Sequence, residues 1–372
     1  MVSPIRVLVV DDSTFMRGAL VRMIEKDSRF KVIDTAVNGK EGVEKAQVLQ
    51  PDVITMDVEM PVMTGIEALT EIMRTVKIPV IMVSTLTESG ATTTLRALEI
   101  GAFDFIPKAL NDKDKNIFRG AELIHEKLLA AAQSRGAQIA PAPAQTTSVS
   151  PQPLSSVSPH PATPSALLSA PAMKVPLPAP SKVARVTAKT VVIGSSTGGP
   201  KALQQVISQL PAGLPVPVLV AQHMPPQFTL ALAKRLDETC PIKVVEAQAG
   251  MVPQPGTVYI APGGMHMRLE PTGLRLNEDV GESPYKPSVD VLAESVRNLF
   301  GKQVLGVMLT GMGADGAREF KRLKDQGAHI IAQDQASSVV YGMPRAVVEN
   351  GGTSEVLALD AIGPRIRTLL SV

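Results

Sequence analysis

Eleven of the 31 prolines in this 372-residue chain fall between Pro141 and Pro180. The stretch around them, 133–187, is rich in Pro, Ala and Ser, nearly lacks aromatic and acidic residues, and shows neither a helical nor a strand period. Proline has no amide to give a helix or a sheet ladder, so this composition predicts an extended, solvated, partly polyproline-II tether. A proline-rich ligand for a small adaptor domain is the other use of such a stretch. The rest of the chain must then fold as two units, 1–132 and 188–372, joined by the linker 133–187.

Apolar residues make up 44% of the chain and charged residues 19%, which suits soluble domains with sizeable cores. A net charge of +2 gives no reason to expect nucleic acid or an anionic membrane surface as a partner. Cys240 is alone, which excludes an internal disulfide framework and fits a reducing compartment; a packed thiol is the expectation for it. Residues Met1 to Val10 run straight into a strand-like segment. They have neither the cationic start and cleavage site of a secretory signal nor a spanning length, so a cytoplasmic protein without membrane insertion is expected.

In the first unit, apolar runs at Val7–Val10, Val32–Ala36, Val53–Met56, Val80–Val83 and Phe103–Ile106 alternate with amphipathic segments. In one of these, Met16, Ala19, Leu20, Met23 and Ile24 share a helical face. Repeated βα units predict a doubly wound, mostly parallel sheet, whose sites form at the carboxyl ends of strands. The polar residues stand at those ends: Asp11 and Asp12 after the first strand, Asp57 after the third, Ser84 after the fourth and Lys108 after the fifth. Three converging carboxylates repel one another unless a hard cation such as Mg²⁺ sits among them. An ammonium and a hydroxyl nearby could hold a phosphoryl group on one of them. Solvated loop acids are the plainer reading, but they do not explain five such residues at four strand ends.

This unit resembles a two-component response-regulator receiver domain, through Asp11-Asp12, Met56-Asp57-Val58-Glu59-Met60-Pro61 with Gly65, Ser84-Thr85 and Phe105-Ile106-Pro107-Lys108. The resemblance implies a flavodoxin-like fold and phosphorylation of Asp57 by a histidine kinase. It implies Mg²⁺ held by Asp12, Asp57 and the Glu59 backbone carbonyl, with Asp11 assisting. Ser84 and Lys108 would contact the phosphoryl oxygens, and Phe105 would be the aromatic that changes rotamer on activation.

The second unit opens on Val191-Val192-Ile193-Gly194-Ser195-Ser196-Thr197-Gly198-Gly199-Pro200, a strand, a hydroxyl-bearing corner and a helix start. Such a corner exposes an Oγ and aims the following amides at developing negative charge. It also suits phosphate binding, or is a plain glycine-rich turn. Further strands are expected at Thr190–Ile193, Val216–Ala221, Ile242–Glu246, Thr257–Ile260, Val304–Leu309 and Ala328–Ala332. Helices are expected at Phe228–Leu236, Val289–Leu299 and Gly316–Lys324, and a β-hairpin over Met267–Leu276. A Rossmann-like α/β fold with an antiparallel excursion follows.

A nucleophilic serine needs a base, and the base an orienting acid. Of five histidines, His125 lies in the charged stretch ending the first unit, His160 in the linker, and His329 begins a β-run. His223 ends the strand after the hydroxyl corner and is favoured over His266, because adjacent strands place their ends side by side. Asp315, delivered by Leu309-Thr310-Gly311-Met312-Gly313-Ala314-Asp315-Gly316, is the best acid, although a residue there could simply cap the next helix. Asp279, Asp290 and Asp334 are less well placed.

Together Gly194–Gly199, Gln222-His223-Met224-Pro225, Ala261–Met267, Thr310–Gly316 and Tyr341-Gly342-Met343-Pro344 resemble the chemotaxis protein-glutamate methylesterases. By that resemblance Ser196, not Ser195, is the nucleophile, His223 the base and Asp315 the orienting acid. Thr197 neighbours Ser196 in the nucleophile turn, and the Met312 amide contributes to the oxyanion hole. The implied reaction is phosphorylation-activated hydrolysis of glutamyl methyl esters on cytoplasmic helices of chemoreceptors, releasing methanol, with deamidation of receptor glutamines as a second reaction. No cofactor is expected in the esterase site. A dinucleotide-binding oxidoreductase would want an acid where Gln222-His223 stand. A receiver-controlled, non-catalytic interaction module is the remaining alternative.

Overall fold

The computed structural model describes residues 3–108, 117–139, 186–278 and 283–372. The first domain runs β1 (Ile5–Val10), α1 (Thr14–Ile24), β2 (Phe30–Ala36), α2 (Gly39–Leu49), β3 (Val53–Asp57), α3 (Gly65–Thr75), β4 (Val80–Ser84), α4 (Glu88–Ile100), β5 (Asp104–Pro107) and α5 (Ile117–Ile139). Its five strands are parallel in the order β2-β1-β3-β4-β5, the flavodoxin-like order. The apolar runs are the strands because both faces are covered: all of β3 and β4 is buried. The order reverses between β1 and β3, which is where Asp11 and Asp57 end their strands. Helix starts are set by short polar caps. Thr64 and Glu67 form a capping box on α3, and Gly65 lets that helix begin against β3, since a Cβ there would meet the Asp57 carbonyl at 1.9 Å.

The second domain runs β6 (Thr190–Ser195), α6 (Gly199–Ile207), β7 (Val218–Gln222), α7 (Pro226–Thr239), β8 (Lys243–Glu246), β9 (Thr257–Ile260), β10 (His266–Glu270), β11 (Gly273–Asn277), α8 (Val289–Phe300), β12 (Val304–Met308), α9 (Ala317–Asp325), β13 (His329–Gln333), α10 (Met343–Glu349), β14 (Glu355–Leu357) and α11 (Leu359–Leu370). Seven parallel strands lie in the order β14-β13-β12-β6-β7-β9-β8, and β10 and β11 form the expected antiparallel hairpin. The central strand β6 pairs with β7 on one side and with the much later β12 on the other. That makes its carboxyl end a topological switch point, the place where a crevice opens in such sheets.

Three elements escaped the sequence reading. Strand β14 has three half-buried residues at the sheet edge, too few to show a period. Helix α11 contains Pro364, and α10 has only seven residues, too few to show a clear apolar period. Helix α5 runs through Ile139, into the segment 133–187 assigned to the linker, because its first proline comes only at Pro141. The proline-rich part, 140–185, lies outside the described residues, as does His160. Cys240 ends α7 half-buried and burial pushes its thiol up, in keeping with a packed thiol. No helix among the described residues is long and apolar enough to cross a membrane.

Candidate active site and its acidic switch

Strands β6 and β7 pair with Ser195 opposite Gln222, so Ser196 and His223 follow as neighbours past the sheet edge. The two serines differ sharply. Ser195 is fully buried and donates its Oγ–H to Gln222 Oε1 at 2.7 Å. Gln222 Nε2 in turn donates to the carbonyls of Ser196 (3.0 Å) and His223 (3.1 Å), and the His223 amide donates to the Ser195 carbonyl at 3.1 Å. Gln222 thus clamps both strand ends. Ser196 is half-buried, and its hydroxyl is engaged with no described residue.

His223 Nε2 bonds Asp315 Oδ2 at 2.8 Å, and its Nδ1 is buried without a partner. His266, the other candidate, is also buried with an unpartnered Nδ1, but it does not bond Asp315. Asp315 does not cap the helix that follows it, whose N-cap Gly316 makes no side-chain bond. It caps α8 instead. Its Oδ1 accepts from Ser288 Oγ (2.8 Å) and the Asp290 amide (3.2 Å), and its Oδ2 accepts from the Val289 amide (2.6 Å). Burial pushes the Asp315 carboxyl up. The bond and charge of His223, with the Val289 amide and Ser288 hydroxyl, outweigh it and hold the carboxyl below its ordinary value. Asp290 accepts from the Glu319 amide in the first turn of α9, and Asp334 from the Ser337 amide, so neither is free to orient a histidine. Asp279 is outside the described residues.

The loop after β12 is pressed onto the serine turn. The Ser196 amide donates to the Thr310 carbonyl at 3.1 Å, and a Cβ on Gly311 would stand 2.9 Å from Ser196 Cβ, so only glycine allows the approach. Among the described residues the amides of Thr197 and Met312 donate to no acceptor. Two such amides flanking a serine are what an oxyanion requires.

At the other site, Asp11, Asp12 and Asp57 bring carboxylate oxygens within 4.8 Å of one another. Lys108 Nζ lies 2.6 Å from Asp57 Oδ2 and 3.5 Å from Asp11 Oδ2, and the latter oxygen is buried and accepts no hydrogen bond. Burial pushes both Asp57 and Asp11 up, with Lys108 working against it. Burial also works to lower the Lys108 ammonium, but the bond and charge of Asp57 and the charge of Asp11 win and raise it. A buried oxygen that accepts no hydrogen bond, beside two further carboxylates, fits a hard divalent cation. The Ser84 hydroxyl is turned away, towards the Gly90 carbonyl and Thr94 Oγ1 on α4. Its neighbour Thr85 lines the cleft of about 230 Å³ around Asp57, with Asp12, Glu59 and Lys108.

Comparison with known proteins places both halves. The family model described as CheB methylesterase matches residues 191–366, and that described as response regulator receiver domain matches 7–116. A Vibrio cholerae relative named protein-glutamate methylesterase/protein-glutamine glutaminase 1 is 45% identical over 369 residues, covering 97% of this chain and 98% of the relative. The chain belongs to the protein-glutamate methylesterase/protein-glutamine glutaminase family. An Oleidesulfovibrio alaskensis relative of the same name is 44% identical over 97% of this chain and 98% of its own. The solved CheB methylesterase catalytic domain of Thermotoga maritima is 40% identical, with a TM-score of 0.47 over 49% of this chain and 98% of that one.

In this family member the receiver lies on the esterase. Helix α4 packs on α7 and α6, with Lys234–Glu88 at 2.5 Å and Arg235–Glu99 at 2.8 Å as surface ion pairs. Phe105 is buried and stacks on Phe228 of α7 with ring centroids 4.3 Å apart. Thr197, beside Ser196, donates its hydroxyl to Asp104 of the receiver at 2.6 Å, and Lys127 of α5 holds the same carboxylate oxygen. His125 of α5 bonds the Met23 and Ile24 carbonyls at the end of α1, and His329 pairs with Glu355, so neither approaches the site. Sequence reading missed Gln222, Ser288, Asp104 and Tyr285, whose ring lies against His223 at 4.4 Å. No local pattern marks them; each acts through a contact distant in sequence.

Proposed function

We propose that this chain is a cytoplasmic, phosphorylation-activated serine esterase that removes methyl groups from glutamyl methyl esters of chemoreceptor helices and deamidates receptor glutamines. The observation that carries the reading is the His223–Asp315 bond at 2.8 Å, with the remaining ring nitrogen unpartnered at the strand end beside Ser196. Nδ1 takes the Ser196 Oγ proton as the oxygen attacks the ester carbonyl. The Thr197 and Met312 amides receive the oxyanion, and the proton passes to the departing methanol. Nδ1 then deprotonates a water that attacks the acyl-enzyme, and it gives that proton to the departing Ser196 Oγ. With a glutamine the leaving group is ammonia.

The histidine kinase of the chemosensory system is the phosphodonor to Asp57. Asp11, Asp12 and Asp57 with the Glu59 carbonyl would hold Mg²⁺, which when bound neutralises charge during phosphoryl transfer. Lys108 supplies an ammonium for the phosphoryl oxygens, and the hydroxyl comes from Ser84 after it turns, or from Thr85. The receiver, 1–132, covers the serine turn of the esterase, 188–372, through Asp104 and Phe105, and phosphorylation loosens that cover.

Ser196→Ala should lower methyl-ester hydrolysis on receptor membranes by roughly four orders of magnitude and abolish labelling by a fluorophosphonate. Ser195→Ala should do far less to the rate. An active, labelled Ser196→Ala protein sinks the assignment, and a parent that neither labels nor hydrolyses favours the non-catalytic module.

A further inference from the structure

The His223 imidazole is held along one edge only, by Nε2 on Asp315. One in-plane bond fixes a point of the ring but lets its plane swing about the line from Cβ to that nitrogen. A general base must have its lone pair aimed as well as placed. The Tyr285 ring supplies the missing restraint: it lies face to face with the imidazole, centroids 4.4 Å apart and planes within 4°.

Tyr285 belongs to a short strap that touches both partners. Three residues on, Ser288 donates to Asp315 Oδ1, and the Val289 amide donates to Oδ2. The strap is tied down where the Lys286 carbonyl accepts the Gly264 amide at 3.1 Å and where Ser283 Oγ bonds the Tyr285 carbonyl at 3.3 Å. Across the ring, Gly313 leaves space for the phenol; a Cβ there would stand 3.0 Å from its oxygen.

We propose that Tyr285 is a positioning residue that fixes the plane of His223, so that one strap, Tyr285 to Val289, aligns base and acid together. The proposal rests on the esterase reading above. It assigns the work to the flat ring and none to the hydroxyl.

The test is steady-state kinetics of the phosphorylated full-length protein on methylated receptor membranes. Tyr285→Leu should lower kcat by about ten- to a hundredfold, the scale of a misaimed catalytic group, with KM within about twofold. Tyr285→Phe, which keeps the ring, should bring kcat back to within about twofold of the parent. Should the leucine variant not fold, Tyr285→Met covers the same face without a plane and carries the same expectation. A leucine or methionine variant with parental kcat overturns the proposal, and so does a loss confined to KM or a phenylalanine variant as slow as leucine. Ser196→Ala assayed alongside separates the failures: if it stays active the esterase reading falls, and if it is dead while Tyr285→Leu is fast only the positioning role falls.

Discussion

Asp315 sits where the start of α9 would ordinarily claim it, yet its carboxylate points across to the first turn of α8 and to His223. Four donors on one buried carboxylate keep it ionised, and an ionised acid at Nε2 holds the imidazole with its proton on that nitrogen and the lone pair on Nδ1. Asp315→Asn presents an amide that can donate to Nε2, reversing the tautomer. Receptor demethylation should fall by about 10⁴-fold while Ser196 stays in place. The same carboxylate contributes to stability. Its folded pKa is lowered, so the contribution is fully present above the unfolded value near 3.8 and fades as pH falls through the folded one. In urea melts the gap between parent and Asp315→Asn should be wide above the unfolded value near 3.8 and should narrow as pH falls below it. A gap that widens on acidification would mean the carboxyl is protonated in the fold. The serine corner, His223 and Asp315 stood out because each ends a strand or glycine turn with its own signature, whereas the choice of Ser196 over Ser195 came from the family resemblance. Gln222, Ser288 and Tyr285 were not, because a glutamine, a serine and a tyrosine acquire meaning only from partners 26 or more residues away.

Between the elements, two kinds of contact hold α4 and β5 against the esterase, and they differ in worth. Lys234–Glu88 is more than half exposed on both sides, and exposed pairs contribute about 0.2–1 kcal/mol. Arg235–Glu99 is better shielded and doubly bonded but still at the surface. Phe105 and Phe228, both buried, stack at 4.3 Å, and truncating a buried phenylalanine to alanine costs about 3–5 kcal/mol. The apolar contact should therefore dominate the cover. Replacing Glu88 and Glu99 together by glutamine removes at most about 2 kcal/mol, so it should raise the unphosphorylated esterase rate by no more than about thirtyfold. Phe105→Ala should raise it further, provided the receiver still melts cooperatively. The reverse ranking in a receptor demethylation assay would make the ion pairs the latch. Strand positions were readable because buried parallel strands are continuous β-branched runs. Which helix faces meet across two domains was not readable, since α4 and α7 each look like ordinary amphipathic helices with one polar side.

For the molecule as a whole, the proposed function makes the receiver a competitor for the esterase face, carried on the same chain. Asp104 bonds Thr197, the residue after Ser196, and Phe105 stacks on Phe228 of α7, so under that reading both contacts must give way before a receptor segment reaches the serine. How strongly they compete depends on affinity and on the effective concentration set by the connection. A flexible chain of about 50 residues would have a root-mean-square span on the order of 40 Å, longer if proline stiffens it. Effective concentration falls roughly as the −3/2 power of length, so halving the connection should deepen inhibition about threefold while it still spans the sites. A fragment beginning near Lys182, which keeps the seven-stranded sheet and lacks the receiver, should hydrolyse receptor methyl esters faster than the unphosphorylated full chain and ignore acetyl phosphate. Asp57→Ala in the full chain should likewise lose the response to acetyl phosphate with Mg²⁺, but stay at the inhibited rate. The decisive comparison is demethylation by the full-length, shortened and truncated proteins at equal concentration. If the fragment is no faster than the unphosphorylated whole, the receiver does not cover the serine turn against substrate, and phosphorylation must act by building the active geometry instead.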